Sequence, residues 1–192
     1  MSTRFSGRTL WLAWTLVSTI GFMLGGAAGS TLFPGRDDAL SFALSFAISG
    51  LVTGTGQWFV LRVRYRGLAT WIPATGAGFA IFGAAFALVR MVARDRVDDP
   101  LGFAICFVLT GAAVGIAQWL VLRREVGNAG AWIPASTLGF AGFGAVTAHV
   151  YEIVSAAIGG VFGILIGGAI VLGIVMVYGG LTGVVLVRAE RG

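Results

Sequence analysis

The sequence is short of the residues that carry most enzyme and redox chemistry. Its 192 residues include one cysteine, Cys106, and one histidine, His149. A single thiol cannot form an internal disulfide, and a lone histidine cannot complete a bis-histidine haem, a zinc site or a di-iron cluster. No carboxylate lies in the middle of an apolar run, so a proton relay through a membrane has no evident carrier. We therefore expect a non-enzymatic protein without a metal or another cofactor.

Charged residues are also scarce, at 11% of the chain, against about 25% in soluble domains. Hydrophobic residues make up 57% of the chain, and the mean hydropathy is +0.93. A bilayer core of about 30 Å needs about 20 helical residues. Six apolar runs are long enough, at about 10–32, 40–61, 71–92, 101–122, 132–151 and a last run that ends at 187. We predict an all-α polytopic membrane protein whose six transmembrane helices form a single membrane domain over residues 1–192.

Lysine is absent, so all thirteen basic residues are arginines, and their placement predicts a topology. With the N-terminus inside, nine lie on the inner side and four on the outer side. The inner nine are Arg4, Arg8, Arg62, Arg64, Arg66, Arg123, Arg124, Arg188 and Arg191, and the outer four are Arg36, Arg90, Arg94 and Arg96. This positive-inside bias predicts that both termini are cytoplasmic. It also explains the net charge of +5 without nucleic acid, and it allows the inner arginines to contact anionic headgroups.

One pattern occurs three times: a tryptophan, then Gly-Phe seven residues later, then Gly-Ala. The copies start at Trp14, Trp71 and Trp132, and each is followed by an apolar stretch that ends at an arginine. Sixteen of the 31 residues at 57–87 are identical to those at 118–148, which indicates duplication. The predicted repeat hairpins cover about 9–62, 71–123 and 132–188. The repeat alignment starts the last helix near residue 165 and leaves about 156–164 as a turn or a helical extension.

All six tryptophans lie near the predicted cytoplasmic ends of the helices. Pro73 and Pro134, in two Trp-Ile-Pro-Ala blocks, indicate helix starts, because proline is tolerated in the first helical turn. Amphipathic indole rings are enriched at the headgroup level of membranes. We therefore predict six interface anchors: Trp11, Trp14, Trp58, Trp71, Trp119 and Trp132.

Glycine is the main predicted packing residue. The chain has 31 glycines, and five motifs repeat them every fourth residue, as at Gly21, Gly25 and Gly29. Small residues on one helix face allow the close backbone approach that drives helix association in lipid. We expect a tightly packed bundle, while a role of one such face in a homo-oligomer or a contact with another membrane subunit stays open.

Two groups of polar residues are candidate sites. Gln57 and Gln118 are the only glutamines and occupy matching repeat positions, five residues before an arginine. They are predicted to form an interhelical polar pair or, alternatively, to hold a polar ligand. Arg90, His149 and Glu152 are predicted to form a polar cluster at the outer ends of their helices, because His149 and Glu152 share a helix face. That cluster is either an interfacial polar group or a site for a proton or cation.

The blocks Gln-Trp-(Phe/Leu)-Val-Leu-Arg and Trp-Ile-Pro-Ala are similar to repeats of bacterial multi-pass membrane proteins that have no assigned function. The resemblance covers at best residues 50–150. It implies a bacterial inner (plasma) membrane and supplies no activity. We therefore expect a non-enzymatic structural or complex-forming membrane component. The alternative is a small-molecule carrier or ligand-binding membrane protein, for which a central cavity lined by Gln57, Gln118 or Thr55 would be required.

Overall fold

The computed structural model describes residues 6–34, 38–65, 67–92, 100–127, 129–157 and 160–188. Within these residues the chain forms six α-helices and two 3₁₀ turns, and it contains no strand. The helices are α1 (Gly7–Leu32), α2 (Ala39–Leu61), α3 (Trp71–Val92), α4 (Pro100–Leu122), α5 (Trp132–Ala157) and α6 (Gly160–Arg188). The predicted all-α class is confirmed, and α3 has the predicted bounds.

The described helices include five that are long and apolar enough to cross a membrane. The qualifying segments are Gly7–Leu32, Ala39–Leu61, Leu68–Leu88, Ile105–Leu122 and Ile166–Arg188. Their length and composition agree with the multi-pass membrane protein that the apolar runs predict.

The helix starts follow from local sequence. Ser6 caps α1, because its hydroxyl accepts the Thr9 backbone N–H at 3.2 Å. Asp38 caps α2 in the same way through Ser41 at 2.9 Å, and these hydrogen bonds lower the pKa of the Asp38 carboxyl. Pro73 and Pro134 are the third residues of α3 and α5, as their predicted place in the first turn requires.

The sixth helix begins earlier than the repeat alignment predicts. It starts at Gly160 rather than near residue 165, so most of the stretch predicted as a turn or an extension is helical. Glycine is tolerated in apolar helices, and no proline interrupts the segment, so nothing in its sequence stops the helix from extending.

The six helices form a ring in chain order. Each helix packs against the next, and α6 packs against α1, which closes the ring. Packing is most extensive between α2 and α3 and then between α4 and α5, and each of these pairs is joined by a short connection that carries a 3₁₀ turn. The helices therefore surround one common centre, and the terminal helices are neighbours.

Close helix contacts at two matching glycines bring α2 onto α3 and α4 onto α5. A β-carbon built on Gly50 would lie 2.7 Å from the Thr75 carbonyl oxygen, and one on Gly111 would lie 2.7 Å from that of Ser136. At both sites a β-carbon would meet the backbone of the neighbouring helix, so a larger residue would require the backbones to move apart.

Candidate functional site

Three tryptophans meet at the centre of the bundle. Trp14, Trp71 and Trp132 come from α1, α3 and α5, and each is 0% exposed. Their ring centroids are 5.5–5.9 Å apart, and each pair of rings is edge-to-face, with interplanar angles of 76–77°. We call these residues the tryptophan triad. The interface-anchor role predicted for them is wrong, because a ring without exposed surface cannot contact lipid headgroups.

Each indole of the triad donates its N–H to a buried side-chain oxygen on a neighbouring helix. Trp71 Nε1 donates to Gln57 Oε1 at 3.0 Å, and Trp132 Nε1 donates to Gln118 Oε1 at 3.0 Å. Trp14 Nε1 donates to Thr182 Oγ1 at 2.9 Å. These three bonds link α3 to α2, α5 to α4 and α1 to α6.

The amide nitrogens of the two glutamines extend this network across the centre. Gln57 Nε2 donates to Ser18 Oγ at 3.1 Å. Gln118 Nε2 donates to Thr75 Oγ1 at 3.0 Å and contacts Gln57 Oε1 at 3.3 Å. Gln57 is 1% exposed and Gln118 is 0% exposed, so both amides use protein partners rather than water. We call this set, Ser18, Gln57, Thr75, Gln118 and Thr182, the amide layer.

Thr182 of α6 occupies the position that a glutamine has in α2 and in α4. Aligning the helix ends by Arg123 and Arg188 would put Gly183 opposite Gln118. The structure instead pairs Trp14 with Thr182, and the fully buried Leu186 stands four residues later, as Leu122 does after Gln118. Thr182 is the single threonine of α6, but one hydroxyl in an apolar helix does not by itself indicate a hydrogen-bond acceptor. The acceptor can be located only once the tryptophan that needs it is known to be buried.

Ser18 and Thr75 were also missed, although the repeat contained a clue. Each lies four residues after a triad tryptophan, and the third copy has Ser136 at that position. Ser136 is 0% exposed, and among the described residues its Oγ makes no hydrogen bond of normal geometry, although the Tyr178 side chain is close enough to interact with it. The threonine at 182 carries no amide N–H, so the donation that Ser18 and Thr75 receive from glutamines has no counterpart here.

Phenylalanines fill the centre one layer further along the axis. Phe22, Phe79 and Phe140 follow the glycine of each Gly-Phe pair, with centroids 6.1 Å apart for Phe22 and Phe79 and 5.8 Å apart for Phe79 and Phe140. Phe143 adds a fourth ring, 5.3 Å from Phe22. A cavity of about 10 Å³ beside these rings is lined by Phe22, Gly139, Phe140, Phe143, Val175 and Tyr178. It has room for about one water molecule and no larger ligand.

The remaining three tryptophans are partly buried on the flank of the bundle. Trp11 donates its indole N–H to the Gly180 carbonyl oxygen at 2.9 Å. The guanidinium carbon of Arg62 lies 5.0 Å from the Trp58 ring centroid, and that of Arg123 lies 4.7 Å from the Trp119 ring centroid. These distances are within the range of cation–π contacts. The predicted anchor role remains a prediction for these three residues.

The other candidate sites receive no support from the described side chains. Those of Arg90, His149 and Glu152 lie outside the described part of the chain. Among the described residues, no group of three or more His, Cys, Asp or Glu side chains is placed to hold a metal ion. Cys106 is buried beside a cavity of about 60 Å³ that opens between α3 and α4, with an almost wholly apolar lining.

Comparison with known proteins adds no relative: no protein-family model matches the chain, and neither a curated protein nor a solved structure is significantly similar to it. The geometry therefore defines only a class, an all-helical bundle with helices long enough to cross a membrane and a centre of aromatic and amide side chains.

Proposed function

We propose that the protein is an integral membrane protein with a structural, non-enzymatic role as a component of a larger membrane assembly. The observation that carries this proposal is the filled centre of the bundle. The tryptophan triad, the amide layer and the phenylalanine layer occupy the axis and bond or pack with one another. Because the polar groups of the core are hydrogen-bonded to one another, we expect partners to bind at the outer surface of the bundle.

The same observation weighs against the small-molecule carrier. A carrier needs a polar site near the membrane midplane and a path that leads to it. Gln57 and Gln118, which would line that site, are bonded to the triad and to neighbouring hydroxyls. Thr55 donates its hydroxyl to the Leu51 carbonyl oxygen of its own helix at 2.7 Å. No amide oxygen of the pair lacks a donor.

Assembly is tested on the intact chain. After extraction in a mild detergent, native mass spectrometry is expected to give a species heavier than the 19.9 kDa chain, as a whole multiple or with a second subunit. A harsh detergent, which separates subunits, provides the control and should return the single chain. A clean monomer in the mild detergent, with no partner, would contradict the proposal.

We also infer the finer architecture: three repeated hairpins in a bacterial inner membrane, with both termini cytoplasmic. The repeat is supported by the matched positions of the triad, since residues at the same place in each copy meet on one axis. The orientation is supported by the nine-to-four distribution of arginines between the two sides. We include in this proposal that the chain can form a homo-oligomer and that its inner arginines contact anionic headgroups.

The orientation predicts which loops react from outside the cell. Single cysteines are introduced as Arg64→Cys and Asp98→Cys in a Cys106→Ala background, which removes the native thiol. A membrane-impermeant maleimide is expected to label residue 98 in intact cells and residue 64 only after permeabilisation. Labelling of residue 64 in intact cells would reverse the proposed topology.

A further inference from the structure

We propose that the protein binds two anionic phospholipid headgroups, one at the Trp58/Arg62 pair and one at the Trp119/Arg123 pair. We call these pairs the arginine–tryptophan sites. The proposal rests on the membrane location proposed above and makes the contact with anionic headgroups specific, because it adds the residues that bind them and the number of sites. The juxtaposition that carries it is a guanidinium held over a partly exposed indole at the ends of α2 and α4.

The geometry of each pair suits a phosphate. Arg62 follows the last residue of α2, and its guanidinium carbon is also 4.3 Å from the Phe59 ring. Stacking occupies the face of a guanidinium, while its N–H groups point from the edge and can bind two phosphate oxygens at once. Arg62 and Arg123 are exposed, and within the described residues neither forms an ion pair with a carboxylate. Their N–H edges are therefore available to an anion.

The surroundings favour a lipid as the source of that phosphate. Trp58 and Trp119 are partly buried, while Phe59 is 48% exposed and the matching Leu120 is 41% exposed. Each arginine therefore lies between exposed apolar side chains and the end of its helix. A phospholipid presents the same order, with a phosphate above apolar chains. Charge also agrees, since the described residues at this end include six arginines against the single acid Glu125. The six are Arg8, Arg62, Arg64, Arg123, Arg124 and Arg188.

The number of sites follows from the register of the third copy. The position that corresponds to Trp119 is Gly183, one residue after Thr182, and the position that corresponds to Arg123 is Val187. A β-carbon on Gly183 would lie 3.0 Å from Cδ1 of Trp11, so the neighbouring helix already fills this location. The third copy therefore lacks both the cation and the ring, and the chain should bind two headgroups rather than three.

Native mass spectrometry of the full chain in detergent tests the proposal, with phosphatidylglycerol added and phosphatidylcholine as the neutral comparison. Two phosphatidylglycerol molecules are expected to remain bound, and Arg62→Gln and Arg123→Gln should each reduce the number to one. The double variant should retain none. Arg124→Gln removes the same charge from the neighbouring exposed residue, which lies over no aromatic ring among the described residues, and it should keep both lipids.

Equal retention of both lipids, or an equal loss in Arg124→Gln, would overturn the sites, because binding would then be unselective or a matter of general charge. Inorganic phosphate is the second probe. If it displaces phosphatidylglycerol at low millimolar concentration, the arginines bind phosphate itself, and a lipid source is refuted. A chain that assembles but retains no lipid refutes only the arginine–tryptophan sites, whereas a lipid-bound monomer refutes only the proposed assembly.

Discussion

Replacing Gln57 by leucine is expected to lower the free energy of unfolding by about 3 kcal/mol, because two buried polar groups lose their partners at once. The Trp71 indole N–H loses its acceptor, and Ser18 loses the amide that donates to it. Leaving a buried donor or acceptor unpaired costs about 1–3 kcal/mol for each group. Leucine is close to glutamine in size, so the effect comes from the hydrogen bonds rather than from a large cavity.

Gln118→Leu should cost less than Gln57→Leu, although the two residues occupy matching positions. Among the described residues, Gln57 Oε1 accepts hydrogen bonds from both Trp71 and Gln118, whereas Gln118 Oε1 accepts one from Trp132 alone. Without Gln118, the Thr75 hydroxyl still donates to the Trp71 carbonyl oxygen, so only the Trp132 indole is left unpaired. The order of the two losses is a stricter test than either magnitude.

Two control variants, Thr55→Val and Ser136→Ala, remove hydroxyls that make no well-formed hydrogen bond to another described helix. Thr55→Val, on the same helix as Gln57, removes a hydroxyl that bonds only within its helix, and it should change stability by less than about 1 kcal/mol. Ser136→Ala removes a buried hydroxyl that makes no well-formed hydrogen bond to any described residue, and it should leave stability unchanged or raise it. Ser18→Ala, at the matching position of the first copy, should instead destabilise the bundle.

These variants are compared by reversible unfolding in mixed detergent and sodium dodecyl sulfate micelles, followed by tryptophan fluorescence. Membrane proteins gain only about 0.6 kcal/mol on average from one interhelical hydrogen bond. A loss near that value in Gln57→Leu would mean that Trp71 and Ser18 find other partners, and the amide layer would not be the polar core that the geometry describes. A destabilised Ser136→Ala would mean that Tyr178 or another group bonds to Ser136.

The helices could be predicted from the sequence because their signal is length and composition, which do not depend on packing. The ends of α3 were found correctly because Trp-Ile-Pro-Ala fixes its first turn and charged residues follow Val92. Which side chains point toward the bundle centre and which point outward could not be predicted in the same way. Lipid and most of the bundle interior are both apolar, so hydrophobic periodicity does not distinguish an inward tryptophan from an outward one.

The candidate site was therefore found only in part. Gln57 and Gln118 were predicted to form an interhelical polar pair or to hold a polar ligand, because amides are rare in apolar helices and here recur at matching repeat positions. The inward orientation of the Trp71 and Trp132 rings was not predicted, because a position near the membrane interface is compatible with both an anchoring ring and a buried ring. The triad explains the pair, since indole N–H groups buried at the centre need the acceptors that the glutamines supply.

Gly25→Ala is expected to destabilise the protein by about 3 kcal/mol through a clash between α1 and α2. The new methyl carbon would lie 2.5 Å from the Ser49 carbonyl oxygen and 3.0 Å from the Ser49 α-carbon. These are backbone atoms, so no rotamer change can relieve the contact, and the helices must separate. Separation would also stretch the bond from the Ser49 hydroxyl to the Gly25 carbonyl oxygen, now 2.8 Å. Overpacking alone typically costs about 1–3 kcal/mol.

The adjacent residue supplies the matched control for Gly25. Gly26 is exposed, and no described atom lies within 4 Å of a β-carbon built there. Gly26→Ala makes the same chemical change in the same helix and should be neutral or stabilise by up to about 1 kcal/mol, since alanine is the better helix former. The two variants share one unfolded-state effect, so their difference isolates the contact with Ser49. Equal stabilities would show that α1 and α2 do not approach as closely as Gly25 permits, and that glycine is not what sets their separation.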